Sequence, residues 1–144
     1  MATRKDPLIN FNFLVEIDGI VRAAFREAGG LDSSINVIEY REGGENIVNR
    51  KLPGQLKFSN ITLKWGMSDD TDLYDWHRQW ASGDAAAARK NGSIVLLDRQ
   101  GQEKARWNFF SAWPSKWTGP SFSAESNDIA IESLEIAHEG LVRA

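Results

Sequence analysis

Cysteine is absent from all 144 residues, which removes disulfide frameworks, thiolate metal sites and cysteine nucleophiles together and fits synthesis in a reducing compartment. Histidine occurs only as His77 and His138, on two distant segments, so no metal-ligand spacing exists between them. No long apolar run follows the charged opening "MATRKDPLINFNF". Neither a cleavable signal peptide nor direct membrane insertion is expected, and the sequence reads as a product assembled in the cytoplasm. An excess of one charge is also missing: 17 Lys and Arg against 20 Asp and Glu leave −3, no global reason to hold a polyanion. Serines are plentiful, but none sits in a Gly-x-Ser-x-Gly elbow, and no glycine loop suits a phosphate. The acidic set Asp69, Asp70, Asp72 and Asp75 lacks the glycine and terminal glutamate of an EF-hand loop. It reads as favourable charge at a helix start. No cofactor or metal is expected.

What is present is a period of two. Phe11, Phe13, Val15 and Ile17 alternate with Asn12, Leu14, Glu16 and Asp18, and Val21 to Phe25 reads as the returning hairpin partner. A strand is predicted over Ile35 to Tyr40, followed by the turn "REGGEN" and a stiff corner at Leu52-Pro53-Gly54. Beyond it, Leu56 and Phe58 are even whereas Ile61, Leu63 and Trp65 are odd, which predicts a bulge or bend at Ser59 and Asn60. "MSDDTDLYDWHRQWASG" turns helical, with Ser68 or Asp69 as cap, Asp70 and Asp72 in the first turn and Gly83 as terminator. "DAAAARKNG" suggests a further helical turn broken by Asn91 and Gly92 before the buried run "SIVLLD". "RQGQ" is a hairpin turn, and the strand carrying Ala105, Trp107 and Phe109 leads to "SAWPSKWTGP", whose two prolines argue against regular central pairing. A last strand pair or one bent strand spans Ser126 to His138. About seven strands and one flanking helix predict a mainly β chain, a β-sandwich or barrel forming one domain over 1–144.

Six tryptophans need an account. Trp65, Trp107, Trp113 and Trp117, interleaved with Lys64, Arg106 and Lys116, could stack the bases of a single-stranded nucleic acid or a sugar, making the chain a monomeric binding barrel. The stronger reading puts Trp65, Trp76, Trp80 and Trp107 in the structural core, in phase with apolar neighbours. A small hydrolase using His77 or His138 is the third class. No catalytic constellation supports it.

The order of elements carries more. "NRKLPGQLKFSNITLKWGMSDDTDLYDWHRQW" followed by "ARWNFFSAWPSKWTGPSFSAESNDIAIESLEIAHEGL" resembles the tail tube protein family of contractile phages and phage-tail-like contractile injection systems. Its most specific pieces are the Leu52-Pro53-Gly54 segment, "NITLKWG", the "AWP" of 112–114 and the closing "NDIAIESLEIAHEGL". The resemblance implies a non-enzymatic subunit whose hexameric rings, each with a continuous inner β-barrel, stack into a tube within a contractile sheath. Implied partners are the sheath protein, baseplate or spike and tube-terminating proteins, and a protein or DNA cargo in the lumen. The implied destination is a virion tail or an injection particle. An extended segment at about 41–58 would contact the adjoining ring through Glu42, Gly43, Gly44, Glu45, Asn49, Arg50, Lys51, Pro53 and Gly54. If strands 34–42 and 56–66 form the tube wall, their polar faces offer Asn36, and above all Thr62 and Lys64, to the bore.

Overall fold

The computed structural model describes residues 12–18, 20–22, 25–41, 50–84, 87–125 and 130–144. Among them, ten strands and one helix follow in the order β1 (Asn12–Ile17), β2 (Ile20–Arg22), β3 (Phe25–Gly29), β4 (Ser33–Tyr40), β5 (Arg50–Phe58), β6 (Ile61–Gly66), α1 (Asp72–Ala81), β7 (Lys90–Leu97), β8 (Glu103–Thr118), β9 (Ile131–Ala137) and β10 (Gly140–Arg143). The chain is mainly β. Neighbouring strands run β2-β1-β7-β8-β9-β6-β3, with β10 also on β8, while β4 and β5 form a separate two-stranded ribbon.

The main sheet doubles over at β8. Residues 103–112 of β8 pair with β7, and residues 113–118 pair with β9. Two layers result, and their inward side chains meet. Val15, Ile17, Ile94 and Phe109 come from one layer, Ile61, Leu63, Trp65, Leu134 and Ile136 from the other, with Leu73 and Trp76 of α1 joining them. Burying such a contiguous apolar set is the main favourable term in folding. Phe13 of β1 stacks on Phe25 of β3 at 6.1 Å between ring centroids, bringing strands from the two layers together.

The turning point of β8 is specific. Ser111 takes a left-handed φ of 53°, and Phe110 and Ser111 together oppose Asn91, a bulge in the β7 register. Asn91 Oδ1 accepts the Ser111 N–H at 3.0 Å, and Arg89 reaches both the Ser111 carbonyl and, at 2.8 Å, Glu139. Gly92 admits the Phe109 ring: a Cβ there would overlap the ring and lie 2.6 Å from the Glu16 carbonyl oxygen. Asn91 and Gly92 therefore belong to β7 and do not interrupt the chain before it.

Other boundaries also differ from expectation. Among the described residues Ile20–Arg22 returns along β1, and Phe25 instead starts a strand against β6. The phase slip at Ser59 and Asn60 is a change of sheet, from the ribbon to the main layer. Helix α1 begins after Thr71, which makes no side-chain cap; Asp70 Oδ1 accepts the Asp72 N–H at 3.0 Å from outside the first turn. Gly83, at φ +70°, follows its end. Residues 87–89 form no helix, although the Ala87 N–H reaches the Asp84 carbonyl. Pro114 lies within β8, opposite Ile136, beside a register shift and with its carbonyl 3.2 Å from His77 Nδ1. Proline brings no N–H to the ladder, and irregular positions such as this shift are where a sheet accepts one. Of the closing segment, Ser126 to Ile129 lie outside the described residues, and β10 extends the fold beyond His138.

Candidate functional site: an exposed ribbon and a polar sheet face

Ile35, Val37, Ile38 and Tyr40 favour a strand by their branching or ring, and β4 pairs antiparallel with β5. Ile35 faces Leu56 and Val37 faces Pro53, so Gly54 and Gln55 together oppose Asn36. The Leu52-Pro53-Gly54 segment is thus a bulged strand, not a corner. Pro53 loses little there, since a two-stranded ribbon has a free outer edge. Gly54 is required by closeness: a Cβ would sit 2.9 Å from the Asn36 carbonyl oxygen and 3.1 Å from the Ile38 side chain.

The register distributes the apolar side chains over both faces. Ile35, Val37, Pro53 and Leu56 share one, whereas Ile38, Tyr40 and Leu52 share the other. Ile35, Val37, Ile38, Tyr40, Leu52 and Leu56 are between 44% and 62% exposed. Arg50, Lys51 and Lys57 against the single acid Glu39 give the two strands of this ribbon +2, although the whole chain carries −3. Of the residues expected to touch an adjoining ring, Arg50, Lys51, Pro53 and Gly54 lie on β5. Glu42, Gly43, Gly44, Glu45 and Asn49 lie outside the described residues.

A second surface is the outer face of β3, β6, β9 and the later half of β8. Register places Thr62 beside Gly29 and Glu135, and Lys64 beside Glu27 and Ser133, with Lys116 and Thr118 completing the face. Lys64 Nζ lies 3.6 Å from Glu27, and Asn60 Nδ2 donates to Glu135 at 2.9 Å. The intervening Ile61, Leu63 and Trp65 are buried. Asn36 is not on this face, because its strand belongs to the ribbon. Among the described residues, β3 and the 113–118 stretch of β8 have no second strand neighbour along the borders of this layer.

The tryptophans do not gather into one platform. Trp65 and Trp76 are buried, Trp80 packs half-buried against Trp113 at 5.6 Å, and Trp117 meets Tyr74 at 4.8 Å while donating to the buried Glu132. Trp107 is also half-buried, with the Arg143 guanidinium 5.6 Å from its ring centre. It lines a cavity of about 500 Å³ with Phe13, Ile94 and Leu96. The interleaved cations point elsewhere. Arg106 is held by Glu103 at 2.7 Å and Glu16 at 3.0 Å, bonds that keep its pKa above the ordinary arginine value. His77 meets the Pro114 carbonyl, and His138 lies 3.0 Å from the carbonyls of Gly140 and Ser59. Both histidines tie elements together. Among the described residues no three His, Asp or Glu side chains are grouped to hold a metal ion, and no helix is long and apolar enough to cross a membrane.

Residues 9–142 match the family model described as T4-like virus tail tube protein gp19. No curated protein sequence matches. Among solved structures, a chain of the PVC sheath-tube complex, an extracellular contractile injection system in its extended state, is 31% identical, with 96% of this chain and 91% of that one covered and a TM-score of 0.81. A chain of the PVC sheath/tube terminator is also 31% identical, covering 99% of each chain, with a TM-score of 0.83. Hcp1 from Flavobacterium johnsoniae, at 16% identity, 92% and 94% coverage and a TM-score of 0.56, shares the fold.

Proposed function

This chain belongs to the T4-like virus tail tube protein family and is a structural tube subunit, and we propose that six copies close into a ring and rings stack into a hollow conduit. The observation that carries this reading is the four-strand layer β8-β9-β6-β3: apolar inward, polar outward, and without a strand neighbour on either border among the described residues. Joining β3 of one copy to residues 113–118 of the next continues the layer around a ring and removes the open edges. Thr62 and Lys64 then face the bore. The ribbon, with Arg50, Lys51, Pro53 and Gly54 and the neighbouring Glu42, Gly43, Gly44, Glu45 and Asn49, contacts the adjoining ring.

The role is architectural and not enzymatic. Likeness to chains of PVC sheath-tube and terminator assemblies supports a sheath and a terminating protein as partners, with a baseplate or spike at the far end. Protein effectors or DNA are the cargo, and the particle is a virion tail or an injection machine assembled in the cytoplasm. Reversing Arg50 and Lys51 together to Glu tests the ribbon. The expected product is a subunit with parental circular dichroism and melting that makes no long tubes under negative stain. Normal tubes from that variant would remove the ribbon from the ring contact.

A further inference from the structure

The cavity of about 500 Å³ bordered by Trp107 opens between the two layers. Phe13, Ile94, Leu96 and Trp107 line it from β1, β7 and β8, and Ala28 and Leu31 from β3 and the turn after it. All six are buried or half-buried. The charges at its edge are Arg26, Glu27 and Arg143, each exposed. Glu27 lies 3.6 Å from Lys64 Nζ, and the Arg143 guanidinium lies 5.6 Å from the Trp107 ring centre. Among the described residues, neither Arg26 nor Arg143 has a carboxylate partner.

We propose that this cavity binds a small amphiphile, an alkyl chain with one anionic head such as a carboxylate. The chain lies between the layers and the head is held at the edge by the Arg26 and Arg143 guanidiniums. Packed interiors leave few voids of this size, and apolar walls give water few partners, so an apolar chain suits the space. The volume falls in the range of small-ligand sites, about 300–1,000 Å³. Charge selects the head, because guanidiniums match a carboxylate and repel an ammonium. A sugar would leave hydroxyls unpaired against the apolar walls. Such a site is independent of ring closure.

Calorimetry and thermal melting of the 144-residue chain with decanoate, kept below its micelle concentration, test the site. Decanoate is expected to bind once per chain and to raise the melting temperature, as any ligand of the folded state does. Decanol, with the same chain and no charge, is expected to bind more weakly, and decylammonium more weakly still. Arg26→Gln with Arg143→Gln leaves the walls intact and is expected to weaken decanoate about tenfold or more, the loss of a charge-assisted bond. Ala28→Phe fills the space and is expected to abolish binding, whereas Trp107→Phe keeps binding and loses the accompanying fluorescence change. No saturable uptake, several equivalents per chain, equal affinity for decanol, or parental affinity in the double arginine variant overturns the site. A folded Ala28→Phe variant that binds as the parent does also overturns it, and the arginine variant decides the matter if Ala28→Phe does not fold.

Discussion

Trp76 and Trp80 sit one helical turn apart on α1, yet their surroundings differ. Trp76 is 3% exposed within the core, whereas Trp80 is half-buried against Trp113. Truncating Trp76 to Ala removes a full indole from close packing, for which about 3–5 kcal/mol is typical. Trp80→Ala is expected to cost less, because part of its ring already meets solvent. Chemical unfolding of the two variants checks the order, and parental stability in both would mean that this helix face is not a core. The Trp76 indole N–H has no hydrogen-bond partner among the described residues, so Trp76→Phe, which removes an unsatisfied donor along with some volume, should fall between parent and Ala.

At the scale of elements, the β7–β8 hairpin depends on one carboxylate. Asp98 Oδ1 accepts the N–H groups of Gln102 at 2.8 Å and Gln100 at 2.9 Å. The Gln102 bond above all, then those from Gln100 and Lys104, hold its pKa below the ordinary aspartate value against an opposing desolvation. The folded pKa is the lower one, so the hairpin's stabilisation is complete above the ordinary aspartate range and fades as pH falls through the folded value. Amide shifts of Gln100 and Gln102 followed by NMR should therefore titrate below pH 3.8, the unperturbed value; a midpoint at or above it would contradict the turn geometry. This hairpin was legible in "RQGQ", as were β6 and the buried face of α1, because their periodicity is local. Other features depended on distant partners. Pro114 fits a strand because a register shift lies beside it, and Asn91-Gly92 joins β7 because Ser111 and Phe109 lie alongside. Thr62 and Lys64 could be picked out as the polar alternates of Leu63 and Trp65. The change of face along the ribbon could not, since it follows from pairing Pro53 with Val37 across a bulge.

For the whole molecule, the polar layer makes a prediction about passage. Thr62 and Lys64 lie on a face whose charges are already mixed, Lys64 beside Glu27 and Lys116 beside Glu135. With that face lining the bore, as proposed, the channel would be wetted and weakly adhesive. Thr62→Leu or Lys64→Leu is expected to shift folding stability by only about 0.5 kcal/mol, as is usual for surface sites, while impairing cargo loading or delivery. Melting curves and a delivery assay separate the two effects, and an assembled-tube map with both side chains against the sheath would reverse the orientation of the layer.

The double membership of β8 also has a mechanical meaning. Its 16 residues run without interruption from one layer into the other, laddered to β7 on the first stretch and to β9 on the second. A thrust received by one wall of the subunit therefore reaches the other through the covalent backbone of β8, whose bend at Ser111 is held by Asn91 and Arg89. Sliding the walls past each other along β8 would load many hydrogen bonds at once, because ladder bonds lie across the strand. The subunit is braced against shear by its own longest strand.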